Sequence, residues 1–175
     1  AYTDSTNNLL KYAVRPAANT PDGWQLTVVD AVAGEAYTSL ALEPEGAPQL
    51  SYYAGHDLRR ARLTPAGWVT ETVTTATGRG RATALAIDAA GTAYLATCTG
   101  DPGEILLAAE TADGWVLTPV ARGGCRSAAL MLDAAGEPLI SYVDGSQALR
   151  VARHTSAGWT STTLATAGRV GGGTA

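Results

Sequence analysis

Ser39-Leu40-Ala41-Leu42-Glu43-Pro44-Glu45-Gly46-Ala47-Pro48-Gln49-Leu50-Ser51-Tyr52-Tyr53 runs into Leu58-Arg59-Arg60-Ala61 and then Gly67-Trp68. In Leu40-Ala41-Leu42 large apolar residues alternate with alanine, a period of two that puts them on one face of a strand. Each segment is short and bounded by Gly, Pro, Asp or Ser. No stretch sustains the i, i+3, i+4 apolar spacing of a helix. The passage therefore reads as four successive strands: A (Leu-x-Leu), B (Leu-Ser-Tyr), C (Leu-x-x-Ala) and D (from the tryptophan onward).

The passage recurs. Leu85-Ala86-Ile87-Asp88-Ala89-Ala90-Gly91, Ile105-Leu106-Leu107-Ala108 and Gly114-Trp115 form one copy, with Tyr94-Leu95-Ala96-Thr97-Cys98 as its strand B. Leu130-Met131-Leu132-Asp133, Ile140-Ser141-Tyr142, Leu149-Arg150-Val151-Ala152 and Gly158-Trp159 form another. The amino terminus opens at strand B, with Tyr2 matching Tyr142 and Leu10-Lys11-Tyr12-Ala13 matching Leu149 to Ala152, before Gly23-Trp24. The four tryptophans lie 44, 47 and 44 residues apart. A period of about 40–50 residues with four strands per unit predicts an all-β β-propeller of four-stranded antiparallel blades. The repeats run approximately over 1–30, 31–75, 76–122, 123–167 and 168–175, in one propeller region spanning 1–175. Trp24, Trp68, Trp115 and Trp159 are the expected inter-blade packing residues. Asp88 to Gly91 and Asp133 to Gly136 read as hairpin turns, the Asp bonding backbone amides and the Gly taking positive φ. Pro119 places strand D at a sheet edge.

The string Ser-Leu-Ala-Leu-x-x-x-Gly-x-Pro-x-Leu-Ser-Tyr-Tyr, then Leu-x-x-Ala, then Gly-Trp, resembles a family of bacterial β-propeller repeats found in large secreted or surface proteins of myxobacteria and actinobacteria. The resemblance covers nearly the whole chain and implies a propeller at the cell surface or outside the cell. The short blades ending in Gly-Trp are also similar to small fucose-binding propeller lectins. That likeness implies sugar contacts from an Arg on strand B and a Glu on strand C, where this chain has Ser51 and Ser141, and Ala61 and Ala152. The sialidase Asp box, Ser-x-Asp-x-Gly-x-Thr-Trp, is absent from the sequence.

A hydrophobic content of 46% with a net charge of −4 describes a folded globular chain and argues against nucleic acid as its partner. No apolar run of 18 residues exists to span a membrane. Cys98, ending one strand B, and Cys125, entering the next strand A, fall on the same side of an antiparallel blade stack. They are expected to form a disulfide, implying an oxidising compartment. No metal-ligand spacing, nucleophile elbow or phosphate loop is present, so neither a catalytic residue nor a cofactor is expected. His56 and His154 read as surface histidines.

One face draws attention. The D-to-A connections carry Arg79, Arg81, Arg122, Arg126 and Arg169, and the B–C loops carry Asp4, Asp57, Asp101 and Asp144. Strand order puts both loop sets on one side, where bidentate Arg and Asp hydrogen bonds suit a glycan or a protein partner. The candidate ligand-binding residues are Arg79, Arg81, Arg122, Arg126, Asp57 and Asp144, with Tyr52 and Tyr142. Arg59, Arg60 and Arg62 read as an exposed blade flank. The expected function is a non-catalytic extracellular binding or scaffold propeller; the alternatives are a sialidase- or glycosidase-like enzyme and a fragment without independent function. The chain starts and stops out of phase with its repeat. This leaves open a four-bladed ring closed by the carboxy terminus, a segment of a larger propeller, or an oligomer that completes one.

Overall fold

A computed structural model describes residues 1–15, 23–32, 37–75, 82–99 and 103–166. Fifteen strands account for most of them. Blade 1 holds β1 (Tyr2–Asp4), β2 (Leu9–Val14) and β3 (Gln25–Ala31); blade 2 holds β4 (Thr38–Leu42), β5 (Pro48–Ala54), β6 (Asp57–Thr64) and β7 (Gly67–Thr74). Blade 3 holds β8 (Ala82–Ile87), β9 (Ala93–Cys98), β10 (Glu104–Thr111) and β11 (Gly114–Arg122). Blade 4 holds β12 (Cys125–Leu132), β13 (Pro138–Asp144), β14 (Leu149–Thr155) and β15 (Gly158–Ala165). Every sheet is an antiparallel meander in chain order, and blade 1 lacks strand A among the described residues. The strand order and blade count are those read from the repeat.

The turns follow the sequence chemistry. Asp88 Oδ1 accepts from the amides of Ala90 and Thr92 at 2.9 and 2.8 Å, and Asp133 Oδ1 accepts from Ala135 and Glu137 at 2.8 and 3.0 Å. Gly114, before its tryptophan, has φ 113°, which an L side chain rarely adopts. Pro119 lies on β11, at the edge of its sheet.

The register also shows something that the sequence pattern did not. Each strand D carries a one-residue bulge opposite strand C, at Val29, Val73, Val120 and Leu164. A bulge reverses the alternation and aims that residue at the following blade. Val29, Val73 and Val120 are each buried in the core shared with the next blade. Each blade's opposite face meets the preceding blade through Leu50, Leu95 or Ile140 on strand B and Ala61, Ala108 or Ala152 on strand C. The small strand-C residue leaves room for the strand-B tyrosine, which reaches across it: Tyr142 Oη donates to Ser161 Oγ on strand D at 3.0 Å. The core is therefore a series of inter-blade layers. In blade 3 Thr97 replaces that tyrosine and hydrogen-bonds Tyr53 of blade 2.

Candidate functional site in the groove between blades 2 and 3

Strand-C and strand-D residues line the mouth of each groove. On the face turned to the next blade, the registers make Tyr12, Arg60, Leu107 and Val151 equivalent on strand C, paired with Thr27, Glu71, Thr118 and Thr162 on strand D. The incoming tryptophan rests on this pair. Trp68 meets Tyr12 edge-on with ring centroids 5.3 Å apart, and its Nε1 donates to Thr27 Oγ1 at 3.1 Å. Trp115 meets Arg60 instead, the guanidinium carbon 4.8 Å from the ring centroid, and its Nε1 lies 3.3 Å from Glu71 Oε1. Opposite Trp115 in register stands Glu110, where blades 2 and 4 have Leu63 and His154 and blade 1 has Arg15 in the same place of its strand C.

Arg60 and Glu71 thus stand at positions that are uncharged in the other blades, and Glu110 at one where no other blade has a carboxylate. Arg60, 6% exposed, donates from Nη1 and Nη2 to the two Glu110 oxygens at 2.7 and 2.8 Å. Its Nη2 also lies 2.6 Å from Glu71 Oε1. Gln49, fully buried beneath, is 3.5 Å from Arg60 and donates to Glu43 at 2.9 Å. The Ala93 amide donates to Glu110 Oε2 at 3.2 Å. Burial opposes the charge on Arg60, but hydrogen bonds and Coulomb attraction from Glu110 and Glu71 outweigh it, so its proton is held more tightly than usual. The bidentate bond from Arg60 holds Glu110 below the usual carboxylate range. Both carboxylates reach solvent, with side-chain exposures of 44% for Glu71 and 28% for Glu110. The result is two fixed carboxylate acceptors at the lip of a groove beside a half-buried indole.

This arrangement corrects the expectation for Arg60, which is an interior ion-pair centre rather than an exposed flank. Arg59 is also engaged, donating to Asp30 of blade 1 at 2.6 Å. The sequence signal was present: lining up Tyr12, Arg60, Leu107 and Val151 shows one blade out of character.

The loop face is organised differently from the expectation. The two loop sets do share a side, since the Gly124 amide donates to Gly103 O at 2.9 Å and the Gly145 amide to Gly123 O at 3.0 Å. Cys98 and Cys125 are joined there by a disulfide between blades 3 and 4, Cα atoms 5.5 Å apart, as the strand order implied. Three of the charges, Asp4, Arg122 and Asp144, are bound within their own hairpins. Asp144 accepts from the Ser146 and Ala148 amides, Ser146 Oγ and Arg150 Nε, the last at 2.6 Å. Burial raises its pKa, but these bonds prevail and bring it down to about 2. Asp4 repeats the device with Lys11 Nζ at 2.6 Å and Asn7, and titrates at about 2. Arg122 pairs with Glu104 at 2.8 Å, Arg126 is exposed, and Asp57 is half-buried at the β5–β6 hairpin. Tyr52 and Tyr142 are corrected as ligand-stacking residues: both are buried, Tyr52 donating to Asp30 at 2.6 Å, and neither offers a ring face. Arg79, Arg81, Asp101 and Arg169 lie outside the described residues. His154 Nδ1 sits 3.3 Å from Glu137, with its ring 5.4 Å from Trp159. Among the described residues no cluster of His, Cys, Asp or Glu could hold a metal, and no helix is long and apolar enough to cross a membrane.

No family model and no curated protein matches the chain. Solved structures do. The chain is similar to the SapL1 lectin, solved in complex with alpha methyl fucoside, at TM-score 0.67 and 13% identity over 93% of this chain and 58% of that one. It is also similar to a fucose lectin from Kordia zhangzhouensis, solved in complex with methyl-fucoside, at TM-score 0.50 and 16% identity over 74% of this chain and 99% of that one. The chain thus spans 58% of the length of SapL1. These likenesses and the stacked four-stranded sheets establish an all-β propeller fold.

Proposed function

We propose that this protein is a non-catalytic glycan-binding propeller, and that the groove between blades 2 and 3 is its binding site. The observation that carries the reading is the joint appearance of Arg60, Glu71 and Glu110 around Trp115, a set that no other groove has among the described residues. The face of an indole packs sugar C–H groups, and fixed carboxylates accept from sugar hydroxyls. With Arg60 and the nearby Arg62 against Glu71 and Glu110 the charges balance, and the carboxylate acceptors suit the hydroxyls of neutral sugars. The fold is shared with two lectins that bind fucosides, which supports glycans as the ligand class.

The carboxylates also speak to catalysis. A glycosidase needs one carboxyl held protonated by a raised pKa. The shifts resolved for Asp4, Glu110 and Asp144 are all downward, and Arg60 stabilises the ionised form of Glu110. This favours binding over hydrolysis. The Cys98–Cys125 bridge supports an oxidising, extracellular location. A glycan array probed with the purified chain is expected to give hits among neutral glycans. Silence on every neutral glycan, or hits confined to sialylated or sulfated ones, would refute the reading.

A further inference from the structure

The groove between blades 2 and 3 carries an exposed apolar residue beside its charges. Two residues after the tryptophan, blades 2 and 4 have the hydroxyls Thr70 and Ser161, whereas blade 3 has Leu117 and blade 1 Leu26. In blade 4 that hydroxyl accepts from the strand-B tyrosine, Tyr142. In blade 3 Thr97 holds the tyrosine's place and bonds Tyr53 and Ala82 O, so no hydroxyl is required of the strand-D residue. Leu117 shares a face of β11 with Trp115, two residues away. Ala108, its partner in register, is buried in the core between blades 2 and 3, so this face looks toward blade 2. Leu117 is nevertheless 37% exposed.

The opposite wall offers one acceptor and one donor. Both contacts of Glu71, from Arg60 Nη2 and Trp115 Nε1, fall on Oε1, which leaves Oε2 for a ligand. Arg62 lies two residues from Arg60 on the same face of β6, and its register partner Val69 lies two residues from Glu71. Arg62 is exposed and makes no hydrogen bond or ion pair among the described residues; its charge reaches Glu110 through space. The places of Arg62, Glu71 and Leu117 are taken by Val14, Thr27 and Thr70 at the groove between blades 1 and 2, and by Ala109, Thr118 and Ser161 between blades 3 and 4. The three features thus coincide at one groove among the described residues.

We propose that this groove selects sugars bearing an acetamido group, whose N–H donates to Glu71 Oε2, whose carbonyl accepts from Arg62 and whose methyl packs on Leu117 beside the Trp115 indole. The inference rests on the reading of the groove as a glycan site and narrows it to one sugar class. An acetamide carries one donor, one acceptor and one methyl, the complement of what the groove leaves unused. A hydroxyl in its place would satisfy Glu71 but leave Leu117 against water. An unacetylated ammonium would also leave Leu117 uncovered and would stand beside the positive Arg62, and a carboxylate would meet Glu71 and Glu110. The amide is neutral, so it engages both charged side chains without upsetting their balance.

Isothermal titration of the chain with the methyl glycosides of N-acetylglucosamine and N-acetylgalactosamine, each against its parent methyl glucoside or galactoside, tests this. At least one acetamido sugar is expected to bind about tenfold or more tightly than its parent. Leu117→Thr, which installs the residue of blade 2, and Arg62→Ala should each cut that ratio by at least about threefold. Val116→Thr, exposed on the other face of β11, leaves it unchanged, and circular dichroism confirms that each variant is folded. Equal affinities within both sugar pairs overturn the inference, and so does a ratio unchanged in either Leu117→Thr or Arg62→Ala. If other neutral glycans then bind the wild type but not R60L/E71T/E110L, the groove stands as a glycan site and only the acetamido selectivity falls. Absence of all neutral glycan binding removes both.

Discussion

Arg60 shows how much one substitution within a repeat can change. Where the neighbouring grooves have Tyr12 or Leu107, it introduces a buried cation that requires Glu71 and Glu110 to follow. Replacing it by leucine, the residue found at the next junction, leaves two carboxylates facing each other without a counter-charge. Because both are partly solvated, the cost is about 1–3 kcal/mol, below that of a fully buried pair. The combined variant R60L/E71T/E110L restores repeat-like chemistry and should recover most of that loss in urea denaturation. A triple variant no more stable than R60L would show that the three residues are not coupled. Asp144 makes a pH-dependent contribution. Its carboxyl titrates at about 2 in the fold against an ordinary value of 3.8. Its stabilisation is therefore complete above about pH 4 and is lost as pH falls toward 2. Asp144→Asn should lower the thermal midpoint at pH 6, with the gap to wild type closing as the solution is acidified through that window. A gap independent of pH would show that the charge is not what matters.

At the scale of strands and turns, most of the architecture could be read in advance. Alternating Leu and Ala in Leu40-Ala41-Leu42, Asp-to-Gly hairpins and the Gly-Trp ruler report local physics, and the structure reproduces each. The strand-D bulges were hidden because Val28-Val29 and Val73 look like ordinary strand residues; only the pairing with strand C shows that one residue is extra. The candidate site was hidden for a related reason. Arg60 and Glu110 are 50 residues apart and on different blades, so no local motif joins them. The cysteines were legible because strand order alone put them on one side. Their bridge closes a separation of 27 residues, worth roughly 3.5 kcal/mol by chain entropy. Cys98→Ala/Cys125→Ala should lower the melting temperature by about 7–14 °C, at roughly 2–4 °C per kcal/mol for a chain of this length. An unchanged transition would mean that blades 3 and 4 are held by packing alone. Beside the bridge, Gly124 has φ 89° and a Cβ there would sit 2.7 Å from Gly145 Cα. Gly124→Ala should therefore cost at least about 2 kcal/mol, because backbone rather than a yielding side chain is in the way. A tolerated alanine would contradict the close packing of the two loops.

For the molecule as a whole, repetition supplies the scaffold and departures from it supply the specificity. Blades share their cores through equivalent positions, and among the loop charges Asp4, Asp144 and Arg122 are hairpin staples, paired with Lys11, Arg150 and Glu104. What remains distinctive among the described residues is one charged groove. The groove is the central claim, and isothermal titration of an array-identified neutral glycan against wild type and R60L/E71T/E110L tests it most directly. The account predicts saturable binding to the wild type and at least about a hundredfold weaker binding to the variant, equivalent to roughly 2.7 kcal/mol, with the variant still folded. Equal affinity for the two proteins would contradict it and move the site elsewhere on the propeller.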